Sequence, residues 1–116
     1  MLVSTIFASV AILATGVQSA FIPRNKHVAD FRLFGGEDCA NPNLGIWTVI
    51  DTDFQNYECK SLNDDTVKSV LGVSETRGCK LYVFSDAACR VGREEVKKGG
   101  CQSVPAGFKA WSMVCN

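Results

Sequence analysis

Histidine is almost absent from this sequence, and its scarcity limits the chemistry that the chain can perform. Its one histidine, His27, lies before the first cysteine. Acid–base catalysis near neutral pH most often uses histidine. Carboxylate pairs are available in Asp51 with Asp53 and in Glu94 with Glu95, but close pairs on hairpins are usually surface charge, not the separated acids of a glycosidase. The sequence therefore predicts no catalytic residue and no enzyme activity.

The sequence also lacks an excess of either charge and any closely spaced cysteine pair. Lys and Arg total 12, as do Asp and Glu. Nucleic acids and anionic membranes select basic surfaces, so neither is an expected partner. Zinc and redox sites use pairs such as C-x-x-C, whereas the closest cysteines here are Cys79 and Cys89. We expect no cofactor.

Charged residues are missing from residues 1–20, MLVSTIFASVAILATGVQSA. An apolar run that ends in small residues is typical of a secretory signal peptide. Cleavage after Ser19 and cleavage after Ala20 both fit. The run is short and weakly flanked for a transmembrane helix. The sequence therefore predicts a secreted, extracellular protein with no membrane anchor after the signal peptide is removed.

All six cysteines lie in residues 21–116. This part of the chain is long enough for one domain. An even number of cysteines in an exported chain indicates disulfides, and here it predicts three. Spacing does not determine how they pair, although Cys89 with Cys101 is favoured because both flank one hairpin. The cysteines are Cys39, Cys59, Cys79, Cys89, Cys101 and Cys115.

The segment before the first cysteine has two interpretations. It is either an N-terminal arm, residues 21–38, that packs as a strand or loosely on a β domain at residues 39–116, or a pro-segment. The absence of a Lys-Arg dibasic site favours the arm. Its packing side chains would be Phe21, Ile22, Phe31, Leu33 and Phe34.

An internal repeat relates CKSLNDDTVKSVLGV, Cys59–Val73, to CQSVPAGFKAWSMVC, Cys101–Cys115, if Thr66 is treated as an insertion. It predicts one supersecondary unit that occurs twice. Apolar strands upstream, in Ile46–Phe54 and Cys79–Cys89, would complete the two units. The matched pairs are Cys59 with Cys101, Ser61 with Ser103, Leu62 with Val104, Val67 with Phe108 and Lys68 with Lys109.

Helix and strand compete for Asp64–Leu71. Asp64 or Asp65 could cap a helix with an apolar stripe. The second copy instead has Pro105-Ala106-Gly107 followed by the alternating FKAWSMVC, which favours a strand in both copies. We therefore predict an all-β fold, a small disulfide-stabilised sandwich or barrel of two Greek-key-like units.

Two motifs resemble a known family. Phe84-Ser85-Asp86 followed by Gly92, one residue later than usual, is similar to the hairpin of the βγ-crystallin Greek-key domain, which killer-toxin-like proteins share. The stretch NDDTVKSV resembles its acidic turn. The resemblance implies a calcium site with Asn63, Asp64 and Asp65 as candidate ligands. Lys68, however, stands at a ligand position, and an ammonium repels calcium, so an Asx-rich turn is expected instead.

The chain as a whole resembles the small secreted cysteine-rich proteins of filamentous fungi, many of which are effectors or toxins. That resemblance implies a non-enzymatic, effector-like or toxin-like interaction protein directed at an extracellular component of a host or competitor. A structural or cell-wall-associated secreted protein with a calcium site is the alternative. A small secreted hydrolase ranks third.

Overall fold

The structure, a computed structural model, describes residues 26–116. The expected signal peptide, its cleavage site, Phe21 and Ile22 lie outside the described residues. A single-turn 3-10 helix occupies Glu37–Cys39. The strands are β1 (His27–Phe34), β2 (Asn43–Ile50), β3 (Lys60–Ser61), β4 (Ser69–Glu75), β5 (Cys79–Phe84), β6 (Glu94–Val96), β7 (Cys101–Ser103) and β8 (Ala110–Cys115).

The strands form two four-stranded sheets. The first has the order β2-β1-β4-β7 and the second β3-β8-β5-β6, and every strand pair is antiparallel. Apolar side chains from the inner faces of both sheets fill the space between them, as in a sandwich. The predicted all-β, disulfide-stabilised sandwich is confirmed.

Two units of four strands, β1–β4 and β5–β8, build the sandwich by exchanging a strand. Each sheet takes the first, second and fourth strands of one unit and the third strand of the other. Hydrogen bonds repeat accordingly: the Lys68 and Lys109 amides donate to the Phe34 and Phe84 carbonyls, both at 2.8 Å. The matched lysines of the sequence repeat thus occupy equivalent positions.

The first unit begins earlier than the sequence suggested. The strand equivalent to β5 is β1, because Phe34 and Phe84 end these strands and accept the equivalent bonds. Pairing Ile46–Phe54 with Cys79–Cys89 was wrong, since Ile46 lies in the second strand of its unit. Local alternation identifies a strand, but only its neighbours in the sheet identify its place in a unit. Although β1 lies within the interval predicted as an arm, it is a central strand of the first sheet.

The repeat also places equivalent side chains in the core. Val67 and Phe108 are 2% and 1% exposed, whereas Lys68 is half-buried and Lys109 exposed. The competing helix at Asp64–Leu71 does not form, and β4 begins at Ser69. Gly107 adopts φ +75°, and a Cβ there would overlap the Val67 carbonyl oxygen. Glycine is therefore required at this turn, where the two segments of the sequence repeat contact each other.

Candidate functional site

The predicted three disulfides form, and the residues described contain no free cysteine. The pairs are Cys39–Cys101, Cys59–Cys89 and Cys79–Cys115. The favoured pair of Cys89 with Cys101 was therefore wrong. These two cysteines flank the same hairpin, but β7 leaves it to join the other sheet and carries Cys101 away.

Strand exchange explains the observed pairing. Cys39 and Cys89 follow the first strand of their units, both with positive φ, 59° and 57°. Each bonds to a cysteine at the third strand of the other unit, Cys101 and Cys59 respectively. These two disulfides are thus equivalent links that hold the hairpin loop of each unit against its partner unit. As disulfides, they hold no thiolate nucleophile.

Two exposed apolar side chains flank one of these links. Tyr57 is 67% exposed and Val91 59% exposed, and each lies two residues from one half of the Cys59–Cys89 disulfide. The Tyr57 amide donates to the Met113 carbonyl at 2.8 Å, which ties the turn to β8. The Asp86 Oδ1 accepts from the amides of Arg90 and Val91, at 2.8 and 2.9 Å. The backbone therefore holds both side chains outward on constrained loops.

The contacts of Asp86 and Gly92 explain why the sequence from Phe84 to Gly92 forms a turn. The bond from the Val91 amide is the main cause that lowers the pKa of Asp86, because it stabilises the carboxylate. Gly92 adopts φ +69°, and a Cβ there would overlap the Ser85 hydroxyl. Both residues singled out in the sequence have structural roles in this loop.

A polar cluster around Asp30 contains the single histidine. His27 Nε2 lies 2.9 Å from Asp30 Oδ2, and the Thr48 hydroxyl donates to Oδ1 at 2.7 Å. The Ser74 hydroxyl donates to Oδ2 at 3.1 Å. The Thr48 bond is the largest cause lowering the pKa of Asp30. A register shift between His27 and Ala29 in β1 changes the local alternation of the strand.

The cluster has the residue types of a catalytic triad but not the connectivity. In a triad the serine donates to the histidine, which in turn is held by the aspartate. Here Ser74 and His27 both bond to Asp30, so the Ser74 hydroxyl donates to the carboxylate and not to the imidazole. The arrangement links side chains of β1, β2 and β4 on the first sheet. No pattern in the sequence indicates this cluster, because Thr48 and Ser74 come from strands distant from His27 in the chain.

A cleft of about 500 Å³ opens beside the start of β1. Its lining includes Lys26, His27, Asp51, Phe54 and Arg77, together with the Cys79–Cys115 disulfide. The Asp51 carboxylate accepts from the Lys26 amide at 3.2 Å. Charges of both signs beside one aromatic ring suit a small polar ligand or a polar side chain of a partner.

The candidate calcium residues form a compact turn. Asp64 Oδ1 accepts from the Thr66 amide at 2.8 Å and from the Thr66 hydroxyl, and these bonds lower the pKa of Asp64. Asn63 has φ 57°, and the Asp65 side chain is 95% exposed, 3.9 Å from the Lys109 ammonium. Such bonding is typical of an Asx turn. Across residues 26–116, no three His, Cys, Asp or Glu side chains are grouped to hold a metal ion.

The carboxylate pairs considered for catalysis lie on separate features. Asp53 accepts from the Ile50 amide at 2.9 Å and closes the turn after β2. Glu94 and Glu95 lie on β6, opposite Val83 and Tyr82. Burial raises the pKa of nearby Glu75, and Glu95 adds to the effect. Of the four paired carboxylates only Asp51 lines the cleft, so neither pair converges there as a pair.

Comparisons with known proteins supply no relative. Within residues 26–116, no helix is long and apolar enough to cross a membrane. The chain matches no protein-family model, no curated protein and no solved structure.

Proposed function

We propose that this chain is a secreted, non-enzymatic interaction protein, effector-like or toxin-like, that binds a component of a host or competitor outside the producing cell. The observation that carries the proposal is the exposed pair Tyr57 and Val91 beside the Cys59–Cys89 disulfide. Tyrosine is enriched at protein interfaces because it offers a large apolar surface and a polar tip. A cross-linked loop loses little entropy on binding.

The disulfides support the extracellular setting. A small core is marginal by itself, and three disulfides suit a domain that works in an oxidising environment. Within the Asp30 cluster the serine donates to the carboxylate rather than to the histidine, and this supports binding over catalysis. The resemblance to fungal secreted proteins and to the βγ-crystallin and killer-toxin-like fold stays a prediction.

The test applies the oxidised mature protein, fluorescently labelled, to plant, insect, fungal and bacterial cells, and scores both binding and cell death. We expect saturable binding to one class of cells. Reduced and alkylated protein is the control and should not bind. Inactivity on every class would contradict the proposal and favour the structural, cell-wall-associated alternative.

Two matched variants locate the contact. Tyr57→Ala should weaken cell binding at least about tenfold, as for an interface anchor, whereas Tyr57→Phe keeps the ring and should retain most of it. Because Tyr57 is exposed, neither variant should change the melting temperature much. Equal binding by both variants would remove Tyr57 from the interface. Loss of cell killing in His27→Asn with binding and stability intact would instead favour a hydrolase.

A further inference from the structure

One edge of the sandwich differs from the other three. The edge strands are β2 and β7 in the first sheet and β3 and β6 in the second. Strand β3 has two residues, and β6 and β7 have three each, with Glu94 and Glu95 on β6. By contrast, β2 has eight residues, NLGIWTVI, without a charge or a proline. Proteins usually keep edge strands short or charged, since unpaired backbone groups can pair with another chain.

The backbone of β2 shows which groups are available. The Asp51 amide donates to the Lys26 carbonyl, toward β1. The Ile50 amide and carbonyl bond instead to Asp53, in the turn on the open side. Alternate residues of a strand direct their N–H and C=O groups to the same side. Ile46 and Thr48 therefore present theirs at the open edge, and no described residue outside the β1–β2 ladder bonds to them.

We propose that β2 pairs antiparallel with β2 of a second copy of this chain, about a two-fold axis at Trp47. In this register Ile46 of each copy exchanges both backbone hydrogen bonds with Thr48 of the other. The first sheets of the two copies then form one continuous sheet. The interface is isologous, so it closes at a dimer.

The side chains of β2 favour a second copy in this orientation. The strand is uncharged, so self-pairing buries no charge. Asp51 and Asp53 follow its C-terminal end. Antiparallel pairing places them beside the uncharged start of the other β2, whereas parallel pairing would bring the acidic ends of both copies together, which is unfavourable.

Ile46 and Trp47 add apolar contact. Ile46 is 50% exposed, and pairing places it beside the β-branched Thr48 of the other copy, a favourable cross-strand neighbour. Trp47 is half-buried against Phe31 and Trp111. On the axis it would face Trp47 of the other copy as a non-hydrogen-bonded pair, in which side chains approach most closely.

Sedimentation of the oxidised mature protein over a range of concentrations tests the proposal with two variants at one position. Ile46→Pro removes an amide hydrogen that only the second copy would use, and proline is tolerated at an outward position of an edge strand. Ile46→Thr keeps the amide. We expect unmodified protein and Ile46→Thr to dimerise, and Ile46→Pro to raise the dimer dissociation constant at least about tenfold, since two symmetric hydrogen bonds are lost.

Hydrogen exchange on the unmodified protein tests the register without a mutation. The Ile46 and Thr48 amides should exchange freely in dilute protein and become protected as its concentration rises. A monomer at every concentration, or a dimer unaffected by Ile46→Pro, would overturn the proposal. Protection of these amides only on adding an extended peptide would assign the edge to a different partner. Each outcome is independent of the Tyr57 binding assay.

Discussion

In each unit a side-chain link, here called its closure, joins the first and fourth strands at the same end. The chemistry of the closure differs between the two units. In the second unit, Cys79 of β5 and Cys115 of β8 form a disulfide. At the corresponding end of the first unit, Asp30 of β1 pairs with Ser74 of β4 and bonds to its hydroxyl. One closure is covalent and insensitive to pH, whereas the other depends on an ionised carboxylate. Equivalent backbones thus tolerate different closures, provided that the buried positions between the sheets are filled.

The largest difference between the units should appear at their equivalent core positions. We expect Phe108→Ala to lower the free energy of unfolding by about 3 to 5 kcal/mol, and Val67→Ala by less, because the smaller side chain leaves a smaller cavity. Denaturant midpoints of the oxidised variants measure this, provided the unfolding slope is unchanged. A larger loss at Val67 would contradict the equivalence of the two positions.

Removing the covalent closure should have the next largest effect. Replacing both Cys79 and Cys115 with alanine opens a link across 36 residues of sequence. Its loss should cost about 2 to 4 kcal/mol, chiefly through the greater freedom of the unfolded chain. The same denaturant series checks it. An unchanged midpoint would show that β5 and β8 are held by their ladder alone.

Removing the closure between Asp30 and Ser74 should lower the free energy of unfolding by less. The size of this loss should depend on pH. Because the pKa of Asp30 is lowered on folding, its stabilisation is present above the ordinary carboxyl pKa and is lost as pH falls through the folded pKa. We expect Asp30→Asn to cost about 1 kcal/mol at neutral pH, as for a typical hydrogen bond.

Unfolding at a series of pH values separates this effect from simple loss of packing. The difference in stability between unmodified protein and Asp30→Asn should shrink in acid. A constant difference at all pH values would show that the charge of Asp30 does not contribute. The double cysteine variant is the control, and its cost should not change over the same range.

The equivalent lysines should have small effects. Lys68→Ala and Lys109→Ala should each change stability by no more than about 0.5 kcal/mol, as surface substitutions usually do. Calorimetric melting of both variants checks this. If Lys68→Ala proved as damaging as Val67→Ala, the inward and outward assignments of the repeat would be wrong. Loss of cell binding in a lysine variant of full stability would extend the contact surface to this face.

Calcium should have no effect. A ligand raises the melting temperature only if it binds the native state in preference to the unfolded chain. Asp64 already accepts two bonds from Thr66. We therefore expect the melting temperature to be the same with millimolar calcium and with chelator. An upward shift abolished by Asp64→Ala would establish a site at Asn63, Asp64 and Asp65.

The sequence alone was sufficient for the local features. Alternation in FKAWSMVC predicted β8, and the match of Val67 with Phe108 predicted two equivalent core positions. The even cysteine count predicted three disulfides. Alternation is visible within one segment, a repeat is visible when two segments are aligned, and a cysteine count does not depend on which cysteines pair. None of the three requires knowledge of which segments meet in the fold.

Tertiary structure alone decided which distant segments meet. Exchange of β3 and β7 between the sheets set the disulfide pairs and overturned Cys89 with Cys101. The order of strands in the sheets also identified β1 as the first strand of its unit. Pairing of β1 with both β2 and β4 brought Thr48 and Ser74 to Asp30. Strand partners depend on how both sheets bury their apolar faces together, and that is a property of the whole chain rather than of any one segment.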